Sequence, residues 1–157
     1  MTNSSKNVAL LAPVPHEHLV DGAKVVQNEG RVAFGSRAWE VFRDVDGLRN
    51  GLPVDVYIYA SHAAPPGPLE VSWVGRYIGH VESDGGAHPD GMRFRPPSTL
   101  KYSNDNDGHW AIFWELASLD ELPPNARLKT TDFTGFGKPK RYPQPFVPEG
   151  PLLVEHP

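Results

Sequence analysis

The 157-residue sequence contains no cysteine. Disulfide bonds, thiolate nucleophiles and zinc sites with cysteine ligands are therefore excluded, and the cytoplasm, a reducing compartment, is the expected location. No stretch approaches the roughly 20 apolar residues that a transmembrane helix requires. The N-terminal segment lacks the basic flank and the small-residue cleavage site of a signal peptide. We accordingly expect no contact with a membrane.

The chain also has no excess of positive charge, since its formal net charge is −4. Proteins that hold long nucleic acids non-specifically are usually basic. A nucleic-acid partner would need a local basic patch, or a pocket that takes a single base. A basic cluster surrounds Asp132, and its members are Arg127, Lys129, Lys138, Lys140 and Arg141. This cluster predicts either contacts to nucleic-acid phosphates or an ordinary solvated loop.

Turn-forming residues are abundant, with 17 prolines and 15 glycines. This composition favours strands joined by loops over long helices. We expect a disordered tail at residues 1–7 and one domain over residues 8–157 that ends in an extended C-terminal tail. The predicted strands cover residues 7–13, 31–35, 54–61, 69–82, 109–119 and 150–157. Glycine bends in the longest strand favour a small closed β-barrel, with a two-sheet sandwich as the alternative.

Two helices interrupt the strands. Apolar residues recur at helical spacing over residues 16–28, a segment that Gly30 ends. A second helix over residues 36–45 has Ser36 at the N-cap position, and its apolar face consists of Trp39, Phe42 and Val45. Residues 83–108 form a long loop with one possible extended piece at 92–96. Residues 118–121 have the capping-box pattern of a single helical turn.

Few motifs carry recognisable chemistry. His16 and His18 flank Glu17 and would share a face on a strand, but they fall at a predicted helix start, where such positions diverge. No third ligand follows at a recognisable spacing, and the chain lacks a serine-nucleophile signature, a phosphate-binding loop and a dinucleotide fingerprint. We therefore expect no metal and no cofactor.

Aromatic residues are more informative, since the chain contains four tryptophans. Most are expected in the core. One or two could instead line a pocket and stack on a flat ring, because stacking on an aromatic side chain contributes about 1–3 kcal/mol per base. Such a pocket would bind a base without much positive charge.

The order of these features resembles the PUA-like superfamily, particularly its EVE and ASCH branches. The similar segments are VYIYAS, WVGRYIGHV and HWAIFWEL, which runs into LDELP and the pair Leu128–Lys129. The resemblance covers roughly Val8 to Lys129. It implies a mainly β fold with short helices (α+β), built as a small curled barrel of five to six strands.

The resemblance also implies a site. EVE-like domains are thought to hold a modified or flipped base in a pocket at the barrel face, and the related YTH domains use an aromatic cage. By position in the element order, the pocket residues here would be Phe34, Gly35, Ser36, Trp39, Ser61, Trp73 and Trp110. The first three would form both the turn into the second helix and the pocket rim. The implied partner is RNA or DNA, with a modified base as the recognised feature.

Two other functions stay open. Some ASCH proteins are hydrolases with a G-x-K-x-x-E-x-R motif, of which Gly22 and Lys24 match, whereas Gln27 and Glu29 do not. The incomplete motif argues against transferring that chemistry to Lys24. A hydrolase would also need an acid facing the same pocket, and the candidates are Glu70 and Glu115. The third function is an acidic interaction or structural protein without a small-ligand site. The oligomeric state stays open.

Overall fold

The computed structural model describes residues 4–63 and 70–157. The strands and helices in this part of the chain are β1 (Ser5–Pro15), α1 (His16–Glu29), β2 (Val32–Ser36), α2 (Trp39–Leu48), β3 (Val54–Ser61), β4 (Glu70–Glu82), β5 (Ile112–Glu121), β6 (Leu128–Lys129) and β7 (Leu152–Val154). Short 3-10 helices lie at Pro97–Lys101, Pro124–Ala126 and Thr130–Asp132. No helix among the described residues is long and apolar enough to cross a membrane.

The strands form one seven-stranded mixed sheet in the order β2-β5-β4-β3-β1-β7, with β6 paired to β4. Strands β1 and β3 are parallel, and the other pairs are antiparallel. The parallel pair arises because the chain passes through α1, β2 and α2 between these two strands. The predicted α+β class, mainly β with two short helices, is confirmed.

The sheet does not close, so the expected barrel of five to six strands is not observed. Its end strands β2 and β7 make no pairing with each other in the described chain. Other segments occupy their edges instead. The Ala33 N–H donates to the Phe94 carbonyl (2.7 Å), and the Phe136 N–H donates to the Leu153 carbonyl (3.0 Å). These hydrogen bonds occupy part of each edge and so protect it from further strand pairing.

Both faces of the sheet are buried. Along β1, Val8, Leu10, Ala12 and Val14 belong to the main core, which also contains residues of α1 and α2. The alternate residues Ala9 and Leu11 pack with Phe133 and Val154 on the opposite face. A strand buried on both faces is an unbroken apolar run rather than an alternating one. This explains why the N-terminal strand was recognisable in the sequence.

The first strand is longer than predicted, and the fifth is shifted toward the C-terminus. Strand β1 begins inside the expected tail of residues 1–7, since Ser5 already pairs with Val54. Strand β5 continues to Glu121, so the helical turn predicted at residues 118–121 is wrong. The reason is tertiary, because β4 is long enough to pair with this segment up to the contact of Trp73 with Glu121.

The long loop contains no strand, and its one helical segment is the 3-10 helix Pro97–Lys101. Residues 92–96 form turns rather than the extended piece that we expected. The loop is fixed to β5 by a buried pair, in which His88 Nε2 lies 2.9 Å from Glu115 Oε2. The Asp90 N–H donates to His88 Nδ1 (3.0 Å), so the proton of a neutral His88 lies on Nε2, facing the carboxylate.

Candidate functional site

A cavity of about 1040 Å³ opens at the C-terminal ends of β1 and β2. Its wall also includes the first turn of α1, residues of the 95–110 segment and residues 149–151. Strands β1 and β2 are four positions apart in the sheet, which would be about 19 Å in a flat sheet. They line one cavity because the sheet curls. Register shifts between β4 and β5 next to Gly79 are bulges of the kind that produce such curling.

Trp110 lies directly against Gly35 in the cavity wall. A Cβ atom on Gly35 would come within 2.3, 2.4 and 2.5 Å of three atoms of the indole ring. The indole Nε1 donates to Asp105 Oδ1 (3.2 Å). Gly35 is therefore required for the close approach of a ring, and not for the turn that we predicted, since it lies within β2. These two contacts hold the ring in place.

The neighbours of Gly35 line the same cavity. Phe34 is buried and packs against Trp114 with 5.2 Å between ring centres. Ser36 is the last residue of β2, so the prediction that it is the N-cap of the second helix is wrong. Its Oγ accepts a hydrogen bond from the Ala38 N–H (3.0 Å), which shapes the entry to α2 without capping it.

The polar wall of the cavity joins α1 to the segment around residue 102. His18 is 6% exposed, and its Nε2 lies 3.5 Å from Asp105 Oδ2. The Tyr102 ring meets the His18 ring edge-to-face at 5.5 Å. Tyr102 and Lys101 both donate hydrogen bonds to the Glu17 carboxylate. These hydrogen bonds lower the pKa of Glu17, so this acid is ionised at neutral pH.

Arg95 is buried in the same wall and uses its donors within the protein. It is 2% exposed and donates to the carbonyls of Ala33 (2.8 Å) and Asp105 (2.7 Å) and to Asn106 Oδ1 (2.8 Å). Burial lowers the pKa of Arg95 to about 10, an effect that the charge of Asp105 partly offsets. The guanidinium is therefore charged at neutral pH. Each of its three nitrogens donates to the protein, so Arg95 positions the loop.

Asp105 connects these groups. Burial opposes its ionisation most strongly, but the hydrogen bond from His18 and the charge of Arg95 outweigh burial and lower the pKa of Asp105. The carboxylate is thus an ionised acceptor, shared by Trp110 on one side and His18 on the other. It links the position of the stacked ring to the first turn of α1.

Ser98, His18 and Asp105 have the composition of a serine-nucleophile triad. The Ser98 Oγ lies 2.7 Å from His18 Nδ1. Ser98 is buried, however, and does not line the cavity, and its hydroxyl also lies 3.4 Å from the Glu17 carbonyl. A nucleophile needs access to its substrate. This set therefore joins the loop to α1, and no group of three or more histidines and acids in the described chain could hold a metal ion.

Three expected pocket residues lie outside the cavity wall. Trp73 is 4% exposed in the main core, and its ring meets that of His16, a lining residue, at 6.2 Å. Ser61 is the last residue of β3, next to the lining residue His62. Trp39 is 47% exposed in a second depression of the surface. The structure thus brings together Phe34, Gly35, Ser36 and Trp110 of the seven candidates.

The basic cluster lies elsewhere, since none of its five residues lines the cavity. Arg127 is used internally, because its Nε donates to the Leu122 carbonyl and its Nη2 lies 3.6 Å from Glu121. The other members are exposed: Lys129, Lys138, Lys140 and Arg141. Their contact with phosphates stays a prediction.

The residues that the sequence analysis missed come from the loop before β5. Arg95, Tyr102 and Asp105 line the cavity. A long Gly- and Pro-rich segment was the only signal for them. His18 was considered as a metal ligand but forms part of the polar wall.

The groups that a hydrolase would need do not meet. Lys24 is exposed on α1, which covers the main core. Glu115 alternates along β5 with the core residues Trp114 and Leu116, so it lies on the opposite face of the sheet. Neither Lys24, Glu115 nor Glu70 lines the cavity.

Comparisons of the chain with protein-family models, with curated proteins and with solved structures found no match. The resemblance to the PUA-like superfamily therefore stays an expectation based on short motifs.

Proposed function

We propose that this protein is a non-catalytic binding module that holds a nucleobase, plain or modified, in the cavity between the ends of β1 and β2. The observation that supports this function best is the position of Trp110. Its indole lines the cavity, lies on Gly35 and is held by Asp105. A ring that is already fixed can stack on a flat ligand without first losing conformational freedom.

The charge of the cavity suits a base better than a polyphosphate. Three carboxylates (Glu17, Asp105 and Glu149) and two guanidinium groups (Arg37 and Arg95) line it, so its formal charge is −1 with neutral histidines. Apolar side chains supply much of the remaining wall. A cavity with few polar groups between apolar and aromatic ones is typical of small-ligand sites.

Polar groups for the edge of a base are present as well. His16 and His62 line the cavity, and neither ring makes a hydrogen bond within the described residues. Imidazole nitrogens donate or accept, as the tautomer allows. They provide the few directional contacts by which a pocket distinguishes one base from another. The PUA-like resemblance, argued from separate features, points to the same class of ligand.

The test is a binding assay with a panel of plain and modified nucleosides at low salt, read by calorimetry and by tryptophan fluorescence. We expect saturable binding of one nucleoside class. Trp110→Leu removes the stacking ring and should weaken binding roughly 5- to 150-fold, the range for one stacked base. Trp39→Phe is the matched control, because Trp39 lies outside the cavity, and it should bind nucleosides normally.

Two results would contradict the proposal. The first is the absence of binding to every nucleoside of the panel. The second is unchanged affinity in Trp110→Leu, with circular dichroism showing a folded protein. A third arm tests the catalytic alternative directly. Lys24→Ala should have no effect on binding, and incubation should return the bound nucleoside intact.

A further inference from the structure

We infer that the ligand is a single-stranded nucleic acid of at least two nucleotides: one base enters the cavity, its phosphate contacts Arg37, and the neighbouring base stacks on Trp39. This inference rests on the proposed function and adds a second subsite to it.

The second subsite is a shallow depression of about 370 Å³ beside the cavity, lined by Trp39, Arg43, His80 and Glu82 among others. Trp39 is the first residue of α2 and is 47% exposed, unlike the core residues Phe42 and Val45 that follow it on the same helical face. The Arg43 guanidinium lies 5.2 Å from the Trp39 ring centre, a cation–π distance. An exposed indole next to a guanidinium is a stacking platform for a base.

The two depressions are separated only by a thin ridge of backbone. Residues 34–38 line the cavity, whereas Trp39 lines the second depression. In the same way, Trp110 lines the cavity, and the next residue, Ala111, lines the second depression. The Ala111 N–H donates to the Ser36 carbonyl across this ridge (3.0 Å). Trp110 and Trp39 therefore lie on opposite sides of the ridge that residues 34–38 and 110–111 form.

Arg37 lies on this ridge with its charge uncompensated. It is exposed, lines the cavity, and has no hydrogen bond or ion pair with any described residue. The remaining residues, 1–3 and 64–69, contain no aspartate or glutamate. Arg95, the other guanidinium of the cavity, is buried, and each of its three nitrogens donates a hydrogen bond to the protein. Arg37 is thus the cavity guanidinium that can take a phosphate in a bidentate contact.

The order of the three groups matches the order of groups along a nucleic-acid strand. The Cα atoms of Arg37 and Trp39 are at most about 7.6 Å apart, since consecutive Cα atoms are about 3.8 Å apart. A nucleic-acid strand presents base, phosphate and base in succession, which corresponds to the order of Trp110, Arg37 and Trp39 across the ridge. Stacking on Trp39 requires no particular base, because every base has a π face. Selectivity would then come from the cavity alone.

The experiment measures by calorimetry the affinities of a nucleoside, its 3′-monophosphate and the corresponding dinucleotide. The first set is adenosine, adenosine 3′-monophosphate and ApA, and the second set consists of their deoxy forms. The variants are Trp39→Ala and Arg37→Gln, both at exposed positions where the fold should be kept. Lys24→Gln removes the same charge from an exposed position of α1 that lines neither depression, and serves as the matched control.

We expect the dinucleotide to bind roughly 5- to 150-fold more tightly than the monophosphate. Trp39→Ala should remove this gain and leave the affinity for the nucleoside unchanged. Arg37→Gln should weaken the monophosphate and the dinucleotide but not the nucleoside. It should also reduce the slope of log K against log salt concentration by about 0.7, the value for one phosphate of a single strand. Lys24→Gln should match the wild type.

The outcomes separate the two proposals. A nucleoside that binds, with a dinucleotide that binds no more tightly, overturns this inference and leaves the proposed function in place. A gain in dinucleotide affinity that persists in both Trp39→Ala and Arg37→Gln also overturns it. Absence of binding by all three compounds, after the full nucleoside panel has failed, overturns both.

Discussion

Replacing Gly35 by alanine is the sharpest test of how the cavity is built. The added Cβ would lie about 2.4 Å from the Trp110 ring, whereas carbon atoms in contact are at least about 3.5 Å apart. The indole must therefore retreat by about 1 Å or more. Because its Nε1 is bonded to Asp105 at 3.2 Å, a retreat of this size breaks or strains the hydrogen bond.

The expected cost combines two effects. Overpacking costs about 1–3 kcal/mol, and loss of one hydrogen bond to a charged acceptor costs about 1.5–3 kcal/mol in a buried site. Trp110 is only partly buried, which reduces both effects. We therefore expect Gly35→Ala to lower the free energy of unfolding by about 2–3 kcal/mol. If the nucleobase proposal holds, ligand affinity should fall together with stability, because the stacking ring is displaced.

The assay is urea unfolding, together with the indole N–H resonances in an NMR spectrum, in which Trp110 is assigned by its absence in Trp110→Leu. The matched control is Gly150→Ala, since Gly150 lines the same cavity but a Cβ there would meet no atom within 4 Å. In the Trp110→Leu background, Gly35→Ala should lower the free energy of unfolding clearly less than in the wild type, because the clashing indole ring is absent. The reasoning is refuted if Gly35→Ala and Gly150→Ala agree within about 0.5 kcal/mol and the Trp110 resonance does not shift.

Three further predictions concern the surroundings of the cavity. Arg95→Met leaves buried carbonyls without donors and should lower the free energy of unfolding, measured in urea, by about 3 kcal/mol or more. The control is the exposed Arg93→Met, which should lower it by less than about 1 kcal/mol. Equal losses in the two variants would contradict the role of Arg95. Gly47 lies in α2, and a Cβ added there would meet no atom within 4 Å. Gly47→Ala should therefore raise the free energy of unfolding by about 0.5–1 kcal/mol. A decrease in the free energy of unfolding would show a contact that the structure does not. The pKa of Asp105 is lowered on folding, so its carboxylate stabilises the protein above about pH 4, its unfolded value, and this contribution disappears as the pH falls through the folded pKa. Asp105→Asn should therefore be less stable than the wild type at pH 7, and this difference in stability should shrink as the pH falls below about 4. Thermal unfolding of both proteins across this pH range measures the difference, and a constant difference would contradict the assignment.

Most of the elements were predictable because their signals are local. The alternation along residues 54–61 corresponds to β3, and helical spacing with a glycine stop corresponds to α1, whose C-cap Gly30 is left-handed. Such patterns depend on side-chain periodicity and on the conformations that glycine and proline allow. The end of β5 was not predictable in this way, because a capping-box pattern at residues 118–121 was overridden by pairing with β4.

The candidate site was predictable only in part. Phe34, Gly35 and Ser36 are consecutive residues of β2. Predicting the position of this one strand was therefore enough to place all three residues at the cavity. The tryptophans depend on packing instead. Trp73 faces the core of the curled sheet, and Trp39 precedes the first core contact of α2. No local pattern distinguishes these two positions from that of Trp110.

By itself, the sequence determined the α+β composition, the order of the elements, and the presence of aromatic rings near a strand end. Only the tertiary structure decided that the sheet stays open and that Trp110 lies on Gly35. It also decided that Arg95 hydrogen-bonds within the protein, whereas Arg37 has no hydrogen bond or ion pair among the described residues. The physical reason is that periodicity sets which face of an element is apolar, through interactions among near neighbours. The meeting of a particular glycine with a particular indole far along the chain depends on how the sheet curls and how the loop closes over its edge strand.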